Sequence, residues 1–385
     1  MKLLIVGAGG YGAGYVAKAL EDPNAVIAGV VEPFFDTCST RDKILEAGIP
    51  VYQTMEAFYA EHDAQLALIS TPTYLHASQS LCALEHGTHV LCEKPAAPSV
   101  AQVEAMMDGA KKWDRFVAIG YQWSFAHAMR RLKQDILDGK MGKALTLKTV
   151  VNWPRDHKYY ARGGGWGGRI QKDGVLINDS IASNACAHYL HNMLYVLGSD
   201  MGTSVLPVEM EAECLRVNAI ENFDTCVLRM KTEQGALLFF AASHGADGLR
   251  NPEFEYRFEQ AVVRYPAGNG KEVVAEFADG TVVNYGNPFE NDMTKYEECV
   301  ECAEHGGQPI CTPKTAICHT KVIEAIQTHV SITDFPGKLI REDVSAGRVY
   351  GEGIREALDE AYDTMSLFSQ IRPEFATKPA SFSLR

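Results

Sequence analysis

The sequence predicts a parallel, doubly wound α/β domain over residues 1–121, followed over 122–385 by an α+β domain built on a large, mostly antiparallel open sheet. Three observations carry that expectation. Short, near-continuous apolar runs alternate with amphipathic segments from Lys2 to Gly120, and strands apolar on both faces belong in a parallel sheet covered by helices on either side. A glycine cluster, Gly7-Ala-Gly-Gly-Tyr-Gly12, stands directly between the first apolar run and the first helical one. Beyond Leu145 the apolar runs follow one another with few helices between them, as in a meandering antiparallel sheet.

Composition sets outer bounds. A chain of 385 residues fits two or three domains, at roughly 150 residues each. The 46% hydrophobic and 22% charged fractions are those of a folded chain. Lys+Arg 36 against Asp+Glu 49 leaves a net charge of −13, which argues against binding nucleic acid or an anionic membrane. Only four apolar residues, Leu3–Val6, precede the glycines, too few for a signal peptide, and no stretch reaches bilayer-spanning length. A cytoplasmic protein with its ten cysteines reduced is therefore expected. Cys299-x2-Cys302, with Cys311, Cys318 and His319 beyond, invites a zinc reading. The first pair falls at i,i+3 within a helix expected over Asp292–Glu304, so knuckle geometry is missing and no metal is expected.

The elements follow in order. Lys2–Val6, Ala25–Val31, Gln65–Ser70, His89–Cys92 and Phe116–Gly120 read as strands. Gly12–Glu21, Asp36–Ala47, Met55–His62, Tyr74–Gly87 and Val100–Lys112 read as helices. In this context the glycine motif acquires meaning as a Rossmann-type dinucleotide cradle: Gly7 makes the tight turn, Gly9 admits a pyrophosphate to the backbone, and Gly12 lets the helix pack closely. Gly10 and Tyr11 complete the loop, whose helix N-terminus offers N–H donors to phosphate. Glu32 closes the second strand 20 residues after Gly12 and can bind both ribose hydroxyls. Its charge would repel a 2′-phosphate and no Arg follows until Arg41, so NAD is expected rather than NADP.

Downstream stand Ser70-Thr-Pro-Thr-Tyr-Leu-His76 and then His89-Val-Leu-Cys-Glu93-Lys94-Pro95. With the glycine-marked start, these segments resemble the Gfo/Idh/MocA oxidoreductase family, which contains glucose–fructose oxidoreductase and inositol dehydrogenases. The resemblance covers nearly the whole chain, and Glu-Lys-Pro is its most specific mark. It implies that Lys94 stands at the nicotinamide and contacts a substrate hydroxyl, with Glu93, Thr71, Pro72 and Gln122 beside the cofactor. His76 is read either as structural or as backing the cofactor site.

In the second half, a helix Ala126–Leu137 leads through Gly139–Gly142 into a strand Leu145–Val151. Val208–Val217, Thr225–Met230, Ala236–Ala242, Glu255–Tyr265, Glu272–Glu276 and Thr281–Tyr285 continue the sheet, and helices from Thr315 onward, including Val349–Phe368, finish the chain. One helix, capped by Asn178 or Asp179 and stopped at Gly198, aligns Asn184, His188, His191 and Tyr195 in one stripe. The resemblance makes His188 the catalytic histidine. Asn184 and His191 stand where the family commonly has Asp, which bears on substrate stereochemistry more than on redox class. A His188/His191 metal pair lacks a third ligand.

Residues 153–172 hold five Lys/Arg against one Asp, a basic island in an acidic chain. Trp153, Arg155, Tyr159, Tyr160, Arg162 and Trp166 among mobile glycines suit a lid over a sugar: rings cover its C–H face and arginines bind hydroxyls or an acidic group. A contact between subunits is the other reading of this loop. Tyr121 and His244 are further candidates for the substrate pocket. Together these readings predict an NAD-dependent dehydrogenase of a sugar, glycoside or cyclic polyol. His188 would be the general base, Lys94 would stabilise the alkoxide, and Asn184 would orient the hydroxyl. NAD-assisted glycoside cleavage through a 3-keto intermediate and a non-catalytic NAD-sensing regulator are the alternatives. A homodimer or homotetramer through the open sheet is the expected assembly.

Overall fold

All five apolar runs of the N-terminal part form strands, and a sixth, only two residues long, joins them. In the computed structural model, which describes residues 1–268 and 270–384, these are β1 (Lys2–Val6), β2 (Val26–Val31), β3 (Val51–Tyr52), β4 (Leu66–Ile69), β5 (His89–Cys92) and β6 (Val117–Ile119). They pair in parallel in the order β3-β2-β1-β4-β5-β6. Leu3–Val6 and Leu66–Ile69 are wholly buried, as strands covered on both faces must be. The order reverses between β1 and β4, and the crevice beyond the carboxyl ends of strands at such a reversal is where open α/β sheets bind ligands. Gly7, Glu32, Ser70 and Glu93 each directly follow a strand on that edge.

Two compact units divide the chain, the first made of Met1–Phe125 with Asn291–Ile317 and the second of Ala126–Glu290 with Cys318–Arg385. The first unit thus takes in a segment that the sequence reading places in 122–385. Its helix Thr294–His305 is tied down by Lys18–Glu297 at 2.8 Å and by the Tyr296 hydroxyl donating to Asp22 at 3.0 Å. Beyond that helix, Cys311 O accepts from Ile119 N at 2.8 Å, adding a backbone bond at the end of β6.

The second unit is built on a ten-stranded sheet. After β7 (Ala144–Asn152) and a small hairpin of β8 (Gln171–Lys172) and β9 (Val175–Leu176) come β10 (Glu209–Arg216), β11 (Thr225–Lys231), β12 (Leu237–Ser243), β13 (Arg250–Phe258), β14 (Ala261–Tyr265), β15 (Val273–Phe277) and β16 (Val282–Gly286). Then follow β17 (Ile332–Asp334), a second hairpin of β18 (Ile340–Asp343) and β19 (Arg348–Gly351), and β20 (Ala380–Ser383). The large sheet runs β16-β15-β14-β13-β7-β12-β11-β10-β17, with β20 also on β10. Its pairs are antiparallel except β7–β12 and β10–β17. The second half therefore has the expected α+β architecture, with parallel exceptions where β7 and β17 insert beside strands distant in sequence.

Three local expectations change. Glu255–Tyr265 is two strands, because Glu259 and Gln260 turn back onto Lys143 and Met141. Val349–Phe368 is strand β19 and the helices Ile354–Thr364 and Phe368–Ile371, divided by Gly353 at φ +84°. The stripe-bearing helix is a π segment, Ile181–Ala185, followed by an α-helix, Ala187–Val196. Its cap is Ser180 rather than Asn178 or Asp179, in a reciprocal pair of bonds with Ser183.

One face of the sheet packs on the helix Ile354–Thr364 through Val150, Leu215, Val227, Phe239, Ala241, Ala357, Leu358 and Ala361, all buried. Phe239 is fully buried there. Phe239→Ala is expected to cost about 3–5 kcal/mol of unfolding free energy, since the cavity adds to the lost transfer term. Urea denaturation followed by circular dichroism measures it.

Candidate functional site

The glycine loop is shaped by clashes that only glycine avoids. A Cβ on Gly12 would lie 1.9 Å from Gly7 O, and Gly7 turns at φ +83° against Ser70 O, where a Cβ would lie at 3.0 Å. At Gly9 the space a Cβ would take meets only Cys38 Sγ at 3.9 Å, and at Gly10 nothing lies within 4 Å. An open cradle thus stands at the N-terminus of the ten-residue helix Gly12–Glu21, as a pyrophosphate requires. Glu32 accepts from Ala8 N at 3.0 Å and Phe34 N at 3.1 Å, which holds its carboxylate at the loop. These residues fit a dinucleotide.

At the ends of β4 and β5 two loops are tied together. The His76 ring is buried, with Nδ1 2.8 Å from Pro95 O and Nε2 2.8 Å from Thr71 O, and burial pushes its imidazolium down. The Thr71 hydroxyl donates to Gln79, and Pro72 starts the turn before the helix His76–Glu85. Glu93 and Lys94, adjacent in sequence, face different surroundings. Lys94 is partly exposed, whereas Glu93 is buried and enclosed by protein. Its Oε1 accepts from Tyr15 OH at 2.6 Å and from the fully buried Lys295 Nζ at 2.5 Å. Burial would push the Lys295 ammonium down, but Glu93 and Tyr11 outweigh it and hold it above its ordinary value. The ammonium also stands 4.3 Å from the centroid of the Tyr11 ring and 3.4 Å from Gly120 O. Gln122 is partly exposed at the start of a short helix, and Tyr121 is buried beside it in sequence.

Sequence reasoning missed Tyr15 in this cluster and, far along the chain, Lys295. It lies 202 residues from Glu93, and the one available signal is its register with buried Cys299 on the helix Thr294–His305.

In the second unit, Asn184 and His188 are both partly exposed, while His191 is buried. The π segment separates Asn184 from the α-helix that carries His188; such segments recur at functional sites. Asn184 Nδ2 donates to Asp179 Oδ1 at 2.8 Å, and Asp179 Oδ2 accepts from Gly168 N at 2.6 Å with Arg162 at 3.7 Å. Asp179 therefore pins Asn184 to the basic loop.

That loop is stacked rather than extended. The Arg162 guanidinium lies 3.6 Å from the Tyr159 ring centroid and 4.3 Å from that of Trp166, and it donates to Tyr159 O. Arg155 lies 4.6 Å from Tyr159 and 5.7 Å from Trp153. Trp153 meets Tyr189 edge-on at 5.5 Å, and Tyr159 meets Tyr160 at 5.3 Å and His244 at 5.6 Å. The structure thus joins Trp153, Arg155, Tyr159, Tyr160, Arg162, Trp166 and His244 in one connected set, which Arg162 ties to Asp179. His244 Nδ1 donates to Trp153 O at 2.7 Å, and burial, then Arg155, pushes its pKa down to about 3. Among the described residues no group of three or more His, Cys, Asp or Glu is set to hold a metal, and no helix is long and apolar enough to cross a membrane.

Residues 1–121 match the sequence profile of the Gfo/Idh/MocA oxidoreductases, NAD-binding Rossmann fold. The Gfo/Idh/MocA match is echoed in curated relatives. A 2,7-anhydro-N-acetylneuraminate hydratase of Mediterraneibacter gnavus is 30% identical over 148 residues, 38% of each chain. An inositol 2-dehydrogenase of Rhodococcus jostii is 30% identical over 159 residues, 40% of this chain and 42% of that one. The matched stretch spans about two fifths of each of these relatives. The fold extends further: the WlbA dehydrogenase of Chromobacterium violaceum, solved with NADH and UDP-GlcNAcA, superposes with a TM-score of 0.71 at 20% identity. That superposition covers 91% of this chain and 95% of that one. The fold of that structure thus spans residues of both units.

Two outcomes are expected from this geometry. Lys295→Met strands a buried carboxylate and should cost about 3–5 kcal/mol, while adding Glu93→Gln should recover most of it; urea unfolding of the two variants checks this. His244, neutral when folded and protonated when unfolded below about pH 6.5, removes stability as pH falls, by about 1.4 kcal/mol per unit. Thermal midpoints from pH 7 to pH 5 should therefore fall less for His244→Gln than for the parent.

Proposed function

We propose that the protein is an NAD-dependent oxidoreductase that oxidises a secondary hydroxyl of a sugar, glycoside or cyclic polyol. The observation that carries this is the Gfo/Idh/MocA match over residues 1–121, with a glycine cradle open at Gly9 and Gly10 and Lys94 partly exposed just past β5. Relatives named as inositol 2-dehydrogenase, D-glucoside 3-dehydrogenase and glucose-6-phosphate 3-dehydrogenase support the substrate class.

Bound NAD supplies the hydride acceptor. Gly9, Gly10, Tyr11 and the N-terminus of the helix Gly12–Glu21 bind its pyrophosphate, Glu32 its adenosine ribose, and Thr71, Pro72 and Gln122 flank it. Glu93 acts from behind, as the buried anion that fixes the backbone carrying Lys94. The Lys94 ammonium stabilises the developing alkoxide, and neutral His188 takes the hydroxyl proton, a step worth about 10²–10⁴-fold. Asn184 orients the hydroxyl. The negative charge that an Asp would bring there is supplied one hydrogen bond further back by Asp179, 2.8 Å from the Asn184 amide. Self-association through the exposed part of the large sheet, readable by light scattering, and a cytoplasmic location belong to the same proposal.

The experiment is NAD reduction at about neutral pH over inositols, aldoses, uronates, sugar phosphates and glycosides. His188→Ala is expected to bind NADH as the parent does and to lose turnover by about 10²-fold or more. Unchanged turnover in that variant would remove His188 from the mechanism.

A further inference from the structure

We infer that the substrate carries a carboxylate and that Arg155 is the residue that reads it. The inference rests on the oxidoreductase reading above and adds the charge class of its substrate.

Arg155 is half-buried at the start of the aromatic loop, where its backbone N–H donates to His244 O at 3.3 Å. Among the described residues its guanidinium forms no ion pair, and its buried Nε donates to nothing. A half-buried cation without an anion is costly, and this chain carries 49 acidic residues from which a partner could have been drawn. The acids of the loop are committed elsewhere. Asp156 caps the helical turn by accepting from Tyr159 N at 2.9 Å. Asp179 holds Gly168 N, Asn184 and Arg162. Asp224 is enclosed by Val217 N, by Asn218 through both its backbone and its side chain, and by the Thr225 hydroxyl.

What surrounds Arg155 positions it without neutralising it. The Tyr159 and Trp153 rings lie 4.6 and 5.7 Å from the guanidinium carbon. Rings pack against a guanidinium through its flat faces and leave the N–H edge for an acceptor. His244 stays neutral at working pH, so it adds no competing charge. Trp153 meets Tyr189, whose sequence neighbour is His188, with those two ring centroids 6.3 Å apart. Two rings, Trp153 and Tyr189, thus stand between the fork and the proposed base on the same unit.

A carboxylate matches this site better than a phosphate. Two coplanar oxygens meet one planar fork, whereas a phosphate dianion calls for a second cation, and the nearby Arg162 already pairs with Asp179 at 3.7 Å.

The test compares matched substrates on the full-length protein with NAD: glucose, glucuronate and glucose 6-phosphate, then galactose and galacturonate. The acid is expected to exceed its neutral twin in kcat/KM by about 30-fold or more, the lower range for a desolvated charge pair. Arg155→Met should bring that ratio close to one, and Arg155→Lys should restore only part of it, since an ammonium lacks the fork. Calorimetric titration of glucuronate and of glucose into the NADH-loaded protein reads the subsite without turnover. Equal handling of acid and neutral twin overturns the inference and leaves the oxidoreductase reading standing. A preference for glucose 6-phosphate overturns the carboxylate assignment. Neither NADH formation nor binding heat with any sugar overturns both readings.

Discussion

The Glu93–Lys295 ion pair is the constraint on which the first unit turns. Both side chains are out of water, which costs several kcal/mol per ion even after relaxation. The pair holds because each charge has more than one partner: Glu93 accepts from Tyr15 and Lys295, and Lys295 also meets Gly120 O and the face of Tyr11. Four pieces of chain end on this point, namely the glycine loop through Tyr11, its helix through Tyr15, the end of β5, and the helix Thr294–His305. A Cβ on Gly120 would lie 2.8 Å from the same carboxylate, so the end of β6 is fitted to it as well. The pair adds little net stability over a well-packed apolar one. Its effect is to bind segments distant in sequence at one point.

The second unit solves a related problem with rings in place of buried charge. Arg162 and Arg155 stack on Trp153, Tyr159 and Trp166, and among the described residues only Arg162 of the two has a carboxylate partner. The stack requires the chain to turn sharply. Gly163, Gly164 and Gly165 all have positive φ, and a Cβ on Gly163 would lie 2.4 Å from the Trp166 indole nitrogen. Asp179 then links this stack to Asn184, so the loop and the π segment hold one another.

Much of this was legible in the sequence, and the limits are physical. Strand identity in β1 and β5 followed from apolar runs, because a strand buried on both faces leaves no other pattern. β3 was not legible, since two half-buried residues carry no periodicity. The glycine loop and Glu-Lys-Pro could be read locally because their chemistry is local. Lys295 could not, because an interior lysine is defined by a partner far along the chain. The break at Cys186 was hidden for a different reason: a five-residue π segment is barely one turn, too short to imprint its own period, so the stripe from Asn184 to Tyr195 looks continuous on paper. Asp179 reads in the sequence as a candidate cap; its actual partners, Asn184, Arg162 and Gly168, depend on how the loop closes in space.

The two-piece first unit also bears on how the protein is made. Glu93 must wait for a counter-ion that is translated 202 residues later. At about 5–20 residues per second that is a delay of roughly 10–40 s. Until then the nascent glycine loop and sheet carry a carboxylate that cannot be sealed from water. The unit that begins first on the ribosome is thus completed only after most of its neighbour has emerged, and a stalled or truncated chain would expose this unfinished carboxylate pocket to quality control.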